Sequence, residues 1–323
     1  MLKPPIGVLD EHPDWLEPLY STFKDRGVEF EKIDIKCHSY YPQNKDILPF
    51  YINRLSPSAL NRNHHSAFTL TLDFILHLES LGARIVNGSH TVLLETSKAQ
   101  QSSLLYKLGI PQPRTVVLNN ISEAGKYLDE LNFPILIKPN CGGSGTGIQK
   151  YDSLQQFQSV LKNNQIQMPP ENVILLQEFI QPAEDYIVRV ETINGKVIYA
   201  MKVITRGSFN LCPSETCDEE RYTQTTDKMG YCAATPSDSI KFELYRNPPK
   251  DIVNAVEKIA TEARLECGAI EYVMDPSGKW YIYDINALSI LRSSFKTDYG
   301  IDGWGILADY FIQEYNKVVD PTK

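Results

Sequence analysis

The chain has 323 residues, 42% of them apolar, with 32 Lys and Arg against 40 Asp and Glu, a formal charge of -8 and a sequence pI of about 5.4. At roughly 100–200 residues per domain, this predicts two or three domains with a core that needs no disulfide or metal. The acid excess argues against a broad nucleic-acid surface, whose footprint is basic, and no run of about 18 apolar residues is present to span a membrane.

Met1–Asp10 lacks the apolar stretch of a secretory signal and reads as a first strand, Ile6–Leu9. The six cysteines (37, 141, 212, 217, 232 and 267) show no framework spacing, which suits a reducing cytoplasm. An amphipathic stretch from Trp15 to Phe23 ends at Gly27, and Phe30–Ile35 and Pro49–Ile52 look extended. Leu70, Phe74, Ile75, Leu78 and Leu81 recur at helical spacing up to Gly82, and Arg84–Val86 is a buried strand. This alternation predicts an α/β unit with a mostly parallel sheet.

Ser97 and Gln100 form a capping box, so a helix starts at Lys98, with Leu104, Leu105 and Leu108 as its stripe. Thr115–Leu118 reads as a strand, Ser122–Leu131 as a helix and Pro134–Lys138 as a strand. Residues 205–248, rich in Thr, Tyr, Asp and Pro, form a long excursion, the form that lids and binding loops take.

Four segments carry chemistry. Lys138 ends a strand that runs into Gly142-Gly143-Ser144-Gly145-Thr146-Gly147, a loop free to turn its N–H groups onto an anion. It is neither a Walker A loop nor a dinucleotide fingerprint, and a flexible surface hairpin has the same composition. Val173–Ile180, with Gln177-Glu178-Phe179-Ile180 at its end, is an apolar strand able to offer backbone groups to an adenine edge, though an ordinary buried strand reads the same way. Asn194-Gly195 predicts a two-residue hairpin turn pairing Ile193 with Lys196 and Arg189 with Ala200. Val188, Val190, Val197, Tyr199 and Met201 then form a core face, and Arg189, Glu191 and Lys202 share the other, as an anion site or a solvated face. Asp275-Pro276-Ser277-Gly278 suits a type I turn. Counting outward sets Met274 opposite Lys279 and Glu271 opposite Ile282, with Glu271, Asp284 and Asn286 on one face. Those hard oxygen ligands suit Mg²⁺, and a polar solvent face is the alternative.

Taken in order, these motifs resemble the ATP-grasp enzymes, most closely the RimK-like carboxylate–amine ligases, over residues 97–290. The resemblance implies an ATP-grasp fold of α/β and α+β parts: a Rossmann-like pre-ATP-grasp domain (1–96), a central subdomain (97–180) and a C-terminal subdomain (181–323). It implies that ATP binds with two Mg²⁺, for which Mn²⁺ is a substitute. Lys98 and Lys138 then meet phosphate oxygens, the glycine loop closes over them, 177–180 line the adenine pocket and Asp185 reaches the ribose. Glu271, Asp284 and Asn286 match the metal ligands, and Arg189, Lys202 and Asn210 match the positions around the transferred phosphoryl group. The chain departs from the pattern in carrying Asp284 where Glu is usual, and Ala-Leu-Ser after Asn286 in place of Ser-Pro-Gly.

The implied reaction activates a carboxylate as an acyl phosphate and joins it to an amine, with amino acids or peptides as substrates and a homodimer as the usual assembly. Arg54, Ser56, Arg206 and Arg292 are further substrate candidates. A small-molecule kinase and a non-catalytic nucleotide-binding regulator are the alternatives. Zinc at Cys212, Cys217 and Cys232 has no spacing to support it.

Overall fold

The computed structural model describes residues 3–204 and 241–321 and places their strands in three sheets. The first contains β1 (Ile6–Asp10), β2 (Phe30–Asp34), β3 (Phe50–Asn53) and β4 (Arg84–Val86), all parallel, in the order β2-β1-β3-β4. Helices α1 (Pro13–Asp25) and α2 (His65–Ser80) cover its faces. Strand alternation sends Ile6 and Val8 to Leu16, Leu19 and Phe23 of α1, and sends Leu9 to Phe74, Ile75 and Leu78 of α2. The expected α/β unit is therefore present. A six-residue 3₁₀ helix, Pro57–Arg62, follows β3, with Pro57, Ser58 and Ala59 buried.

Two short helices, α3 (Ser89–Glu95) and α4 (Lys98–Leu108), lead out of this unit. Ser97 caps α4 by accepting from the Gln100 N–H, and Gly109 ends it in the left-handed conformation.

The second sheet is antiparallel: β5 (Thr115–Leu118), β6 (Ile135–Pro139), β7 (Gln149–Tyr151) and β8 (Ile174–Glu178), in the order β5-β8-β6-β7. It has a core of its own, in which Ile135, Ile137, Ile174 and Leu176 meet Leu128 and Phe157. Phe157 comes from α5 (Leu154–Lys162). The expected helix at 122–131 is instead 3₁₀, Ile121–Glu130, with Gly125 in its middle, where α-helix is weakest. Ala124 and Leu128 are nonetheless its buried residues.

The third sheet, order β11-β10-β9-β12-β13, contains β9 (Tyr186–Ile193), β10 (Lys196–Ile204), β11 (Lys241–Leu244), β12 (Cys267–Met274) and β13 (Trp280–Asn286). The last residues of the expected excursion thus include an edge strand, β11, whose Phe242 and Leu244 pack on the core. Residues 205–240 of it lie outside the described residues. One face of the sheet is covered by Leu105 of α4 and by Ile252, Val256 and Ile259 of α6 (Lys250–Glu262).

After α7 (Ser294–Tyr299), the last helix, α8 (Gly303–Val319), packs on α1 and β3, with Phe311 against Phe23 and Tyr315 against Phe50. First and third sheets consequently share one continuous core, and the second sheet stands apart from it. Two crossing segments join that second unit to the third sheet. Pro111 O accepts from the Ile282 N–H at 2.9 Å, and the Ala183 N–H donates to Met274 O at 2.8 Å.

Candidate active site

Two hairpins build the floor of the cleft. In the first, Asn194 and Gly195 both adopt positive φ, the two-residue turn that their sequence predicts, and Ile193 pairs with Lys196. One extra residue in β10, Ile198, then shifts the register, so that Arg189 pairs with Met201 rather than Ala200. The bulge turns Lys202 to the face opposite Arg189, where its ammonium lies 4.1 Å from the Tyr186 ring centre and 5.4 Å from that of Tyr245. The expected Arg189–Lys202 anion pair is therefore corrected. The expected core face also divides, with Val188, Val190 and Val197 on one side and Tyr199 and Met201 on the other.

In the second hairpin the Gly278 N–H closes a type I turn onto Asp275 O at 2.9 Å, and Gly278 adopts φ +84. This places Met274 opposite Trp280, and a bulge at Tyr283 then sets Glu271 opposite Asp284, not Ile282. Both offsets are invisible to simple counting, yet Glu271, Asp284 and Asn286 still share a face.

The result is two neighbouring rows across four strands. Met201, Arg189, Glu271 and Asp284 form one, and Tyr199, Glu191, Ala269 and Asn286 the next. Arg189 is buried and donates from Nε to Glu191 at 2.8 Å, from Nη1 to Glu271 at 2.7 Å and from Nη2 to the Ser289 hydroxyl at 3.1 Å. Burial works against its charge, but Glu191 and Glu271 more than offset this and raise its pKa. A guanidinium has five N–H donors, and these partners take three of them among the described residues.

Lys98, in the first turn of α4, reaches Asp284 at 2.5 Å; that carboxylate outweighs burial and raises the lysine pKa. Lys138, on β6, is brought down to about 8 by burial and by the nearby Lys98 charge, and lies 5.1 Å from the Tyr283 ring centre. The glycine loop borders the same cleft, with Gly142, Ser144, Gly145 and Gly147 at positive φ.

Of the other expected site residues, Gln177, Phe179 and Ile180 line the cleft beside Leu136, Ile148 and Val273. Glu178 also borders it, but its carboxylate is turned to the Asn132 amide groups. Asp185 is exposed, and it is not among the residues lining the cleft. Ser56 lines the cleft wall with Ser58. Arg54 does not: it is buried between units, where it donates to Ser289 O at 2.7 Å and to Cys267 Sγ at 3.8 Å. Arg292 stacks over Phe242 at 4.4 Å, away from the cleft lining. Arg206, Asn210 and the cysteines 212, 217 and 232 lie outside the described residues.

Two further contributors, Ser289 and Glu95, carry no local sequence signal, whereas Glu191 sits on the Arg189 face as the alternation predicts. Glu191 and Ser289 clamp Arg189 and bond each other. Glu95, at the end of α3, lines the cleft, accepts from the Ala287 N–H and is pushed up to about 8 by burial.

The donor set fits a hard cation. Two carboxylates, Glu271 and Asp284, face each other on paired strands, and Asn286 lines the same cleft with an amide oxygen as the third hard donor. No three His, Cys, Asp or Glu converge among the described residues, so these side chains would hold a cation together with phosphate oxygens and water rather than as a closed protein cage.

Residues 95–229 match the family model of the RimK-like ATP-grasp domain. The chain is 24% identical over 244 residues to the coenzyme gamma-F420-2:alpha-L-glutamate ligase of Methanocaldococcus jannaschii, covering 71% of this chain and 82% of that one. It is 31% identical over 108 residues to the carbamoyl phosphate synthase large chain of Pyrococcus furiosus, where it covers 33% of this chain and spans only 10% of that protein. The structure aligns with the RimK domain ATP-grasp protein of Sphaerobacter thermophilus at a TM-score of 0.68 and 16% identity, over 95% of this chain and 99% of the other, which establishes the fold.

Proposed function

We propose that this chain, whose residues 95–229 match the family model of the RimK-like ATP-grasp domain, is an ATP-dependent carboxylate–amine ligase acting on amino acids or peptides. The observation that carries this reading is the convergence of Lys98, Lys138, Arg189, Glu271 and Asp284 on one cleft bordered by the glycine loop. A charge set of that kind suits a triphosphate and a second anion together, which a carboxylate substrate provides.

In this mechanism Leu136, Ile148, Phe179 and Ile180 take the adenine, Lys138 and the loop N–H groups take the phosphates, and Lys98 keeps Asp284 aimed at them. Glu271, Asp284 and Asn286 would hold Mg²⁺, two ions in number with Mn²⁺ as substitute, whose chemistry is to neutralise charge on the transferring phosphoryl group. The substrate carboxylate oxygen attacks the γ-phosphorus, the bond to the β–γ bridging oxygen breaks, and ADP leaves. The amine then attacks the acyl carbon, loses a proton, and expels phosphate. The Arg189 guanidinium holds the carboxylate and then the developing oxyanion, and Glu191 with Ser289 fixes its direction. Assembly as a homodimer in the cytoplasm belongs to the same reading.

The test is ADP release with Mg·ATP over a panel of amino acids and small peptides, singly and in pairs, with product masses. ADP, phosphate and a condensed product appearing together with one acid–amine pair support the ligase. A stable product heavier by one phosphoryl group would make it a kinase, and ATP binding without turnover on any pair would leave a nucleotide-binding regulator.

A further inference from the structure

An acyl phosphate survives only if the cleft admits the amine and keeps water out, so the position of the glycine loop matters. That loop is tied down from across the cleft. Asn61, on the 3₁₀ helix Pro57–Arg62, donates from Nδ2 to Gly143 O at 3.2 Å and to Thr146 Oγ1 at 2.9 Å. Gly143 approaches the same helix so closely that a Cβ there would lie 3.3 Å from the Ser58 nitrogen.

The helix is a firm anchor. Ser56 caps it by accepting from the Ser58 N–H, and Arg62 donates to the Ser58 hydroxyl at 3.0 Å and to the buried Glu11 carboxylate at 2.9 Å. Its first turn, Ser56 to Ser58, lines the cleft next to the loop. One six-residue element therefore walls the cleft and holds the loop, and it does so between two units with separate apolar cores.

We propose that Asn61 is a positioning residue that latches the glycine loop to the N-terminal unit, so that the helix walling the cleft also fixes the closed loop over the phosphates. The latch stands on geometry, and its catalytic consequence rests on the ligase reading. With the latch intact, water is excluded and ADP and ligated product form one to one. Without it, water attacks the acyl carbon, returning the acid and releasing phosphate, and ADP exceeds product.

The test compares wild type with Asn61→Ala in two ways. Hydrogen exchange of residues 141–148 in the presence of ATP is expected to speed up about tenfold in the variant, the weight of one or two ordinary hydrogen bonds. For the substrate pair, KM for ATP is expected to rise by a similar factor with kcat nearly kept, and the ADP-to-product ratio to climb above one. Asn61→Asp restores part of the effect, since the Thr146 hydroxyl donates to the carboxylate. Thr146→Val, on the loop surface, gives a smaller change alone and adds less on top of Asn61→Ala than alone, as partners in one contact do. Equal loop exchange in wild type and Asn61→Ala would overturn the latch. If no acid–amine pair yields product, the ligase reading falls by itself, and the exchange comparison still decides the latch.

Discussion

Lys138 is held charged against its surroundings, and replacing it measures how much stability the proposed nucleotide site costs. Burial and the Lys98 charge lower its pKa from an ordinary 10.5 to about 8. A lysine whose folded pKa lies below its unfolded one destabilises the fold fully below the folded pKa. The cost shrinks as pH rises from about 8 toward 10.5 and vanishes above. A gap of roughly 2.5 pH decades at 1.36 kcal/mol each gives about 3 kcal/mol at neutral pH. Lys138→Met keeps the stem and removes the charge. In urea titrations without nucleotide or metal, it should be more stable than wild type by ~2–3 kcal/mol at pH 7, the advantage fading by pH 10. If the proposed site is right, ATP binding measured in EDTA should weaken by at least ~10-fold, because the charge assigned to a phosphate is lost. Wild-type affinity should itself fall about tenfold between pH 8 and pH 9 or slightly above, as Lys138 loses its proton and Glu95 becomes anionic. Lys138→Met should keep only the Glu95 share of that slope. A variant less stable than wild type at pH 7, or a stability difference unchanged from pH 7 to 10, would refute the argument.

Other substitutions separate the remaining parts. Asp284→Asn should cut ligation by at least ~100-fold yet leave ATP affinity in EDTA within about threefold, since Lys98 is freed toward the phosphates; calorimetry and product assays read the two. Arg189→Lys cannot reach Glu191, Glu271 and Ser289 together and strands a buried carboxylate, so unfolding free energy should drop by ~3–5 kcal/mol along with turnover. Lys202→Met should change kcat/KM by less than about twofold, as expected of a residue on the far face; a hundredfold loss would return Lys202 to the chemistry.

Much of this was legible in the sequence because it rests on local rules. The Ser97 cap, the Asn194-Gly195 turn and the Asp275–Gly278 turn each fix backbone over a few residues, and the parallel first sheet follows from alternating strand and helix patterns. What escaped depends on single inserted residues or on distance. Ile198 and Tyr283 look like any other strand residues, yet each shifts everything beyond it, and one of those shifts removes Lys202 from the cleft. Glu95 comes to Ala287, and Ser289 to Arg189, only through folding of segments about a hundred or more residues apart. Arg54 illustrates the reverse error, for an isolated arginine in a loop suggested a ligand where the fold uses its charge to bind a carbonyl in the interior.

The separate core of the second sheet has a mechanical meaning. First and third sheets, stapled together by α8, make one solid block, and the second unit is a jaw tied to it at Pro111–Ile282, at Ala183–Met274 and at Asn140, whose backbone and side-chain oxygens accept from the Lys98 and Ala99 N–H groups. Asn140 stands between Lys138 and the glycine loop, so that tie fastens Lys98, Lys138 and the root of the loop to one another across the two units. An opening of the jaw would have to break it before the loop could swing away from the block.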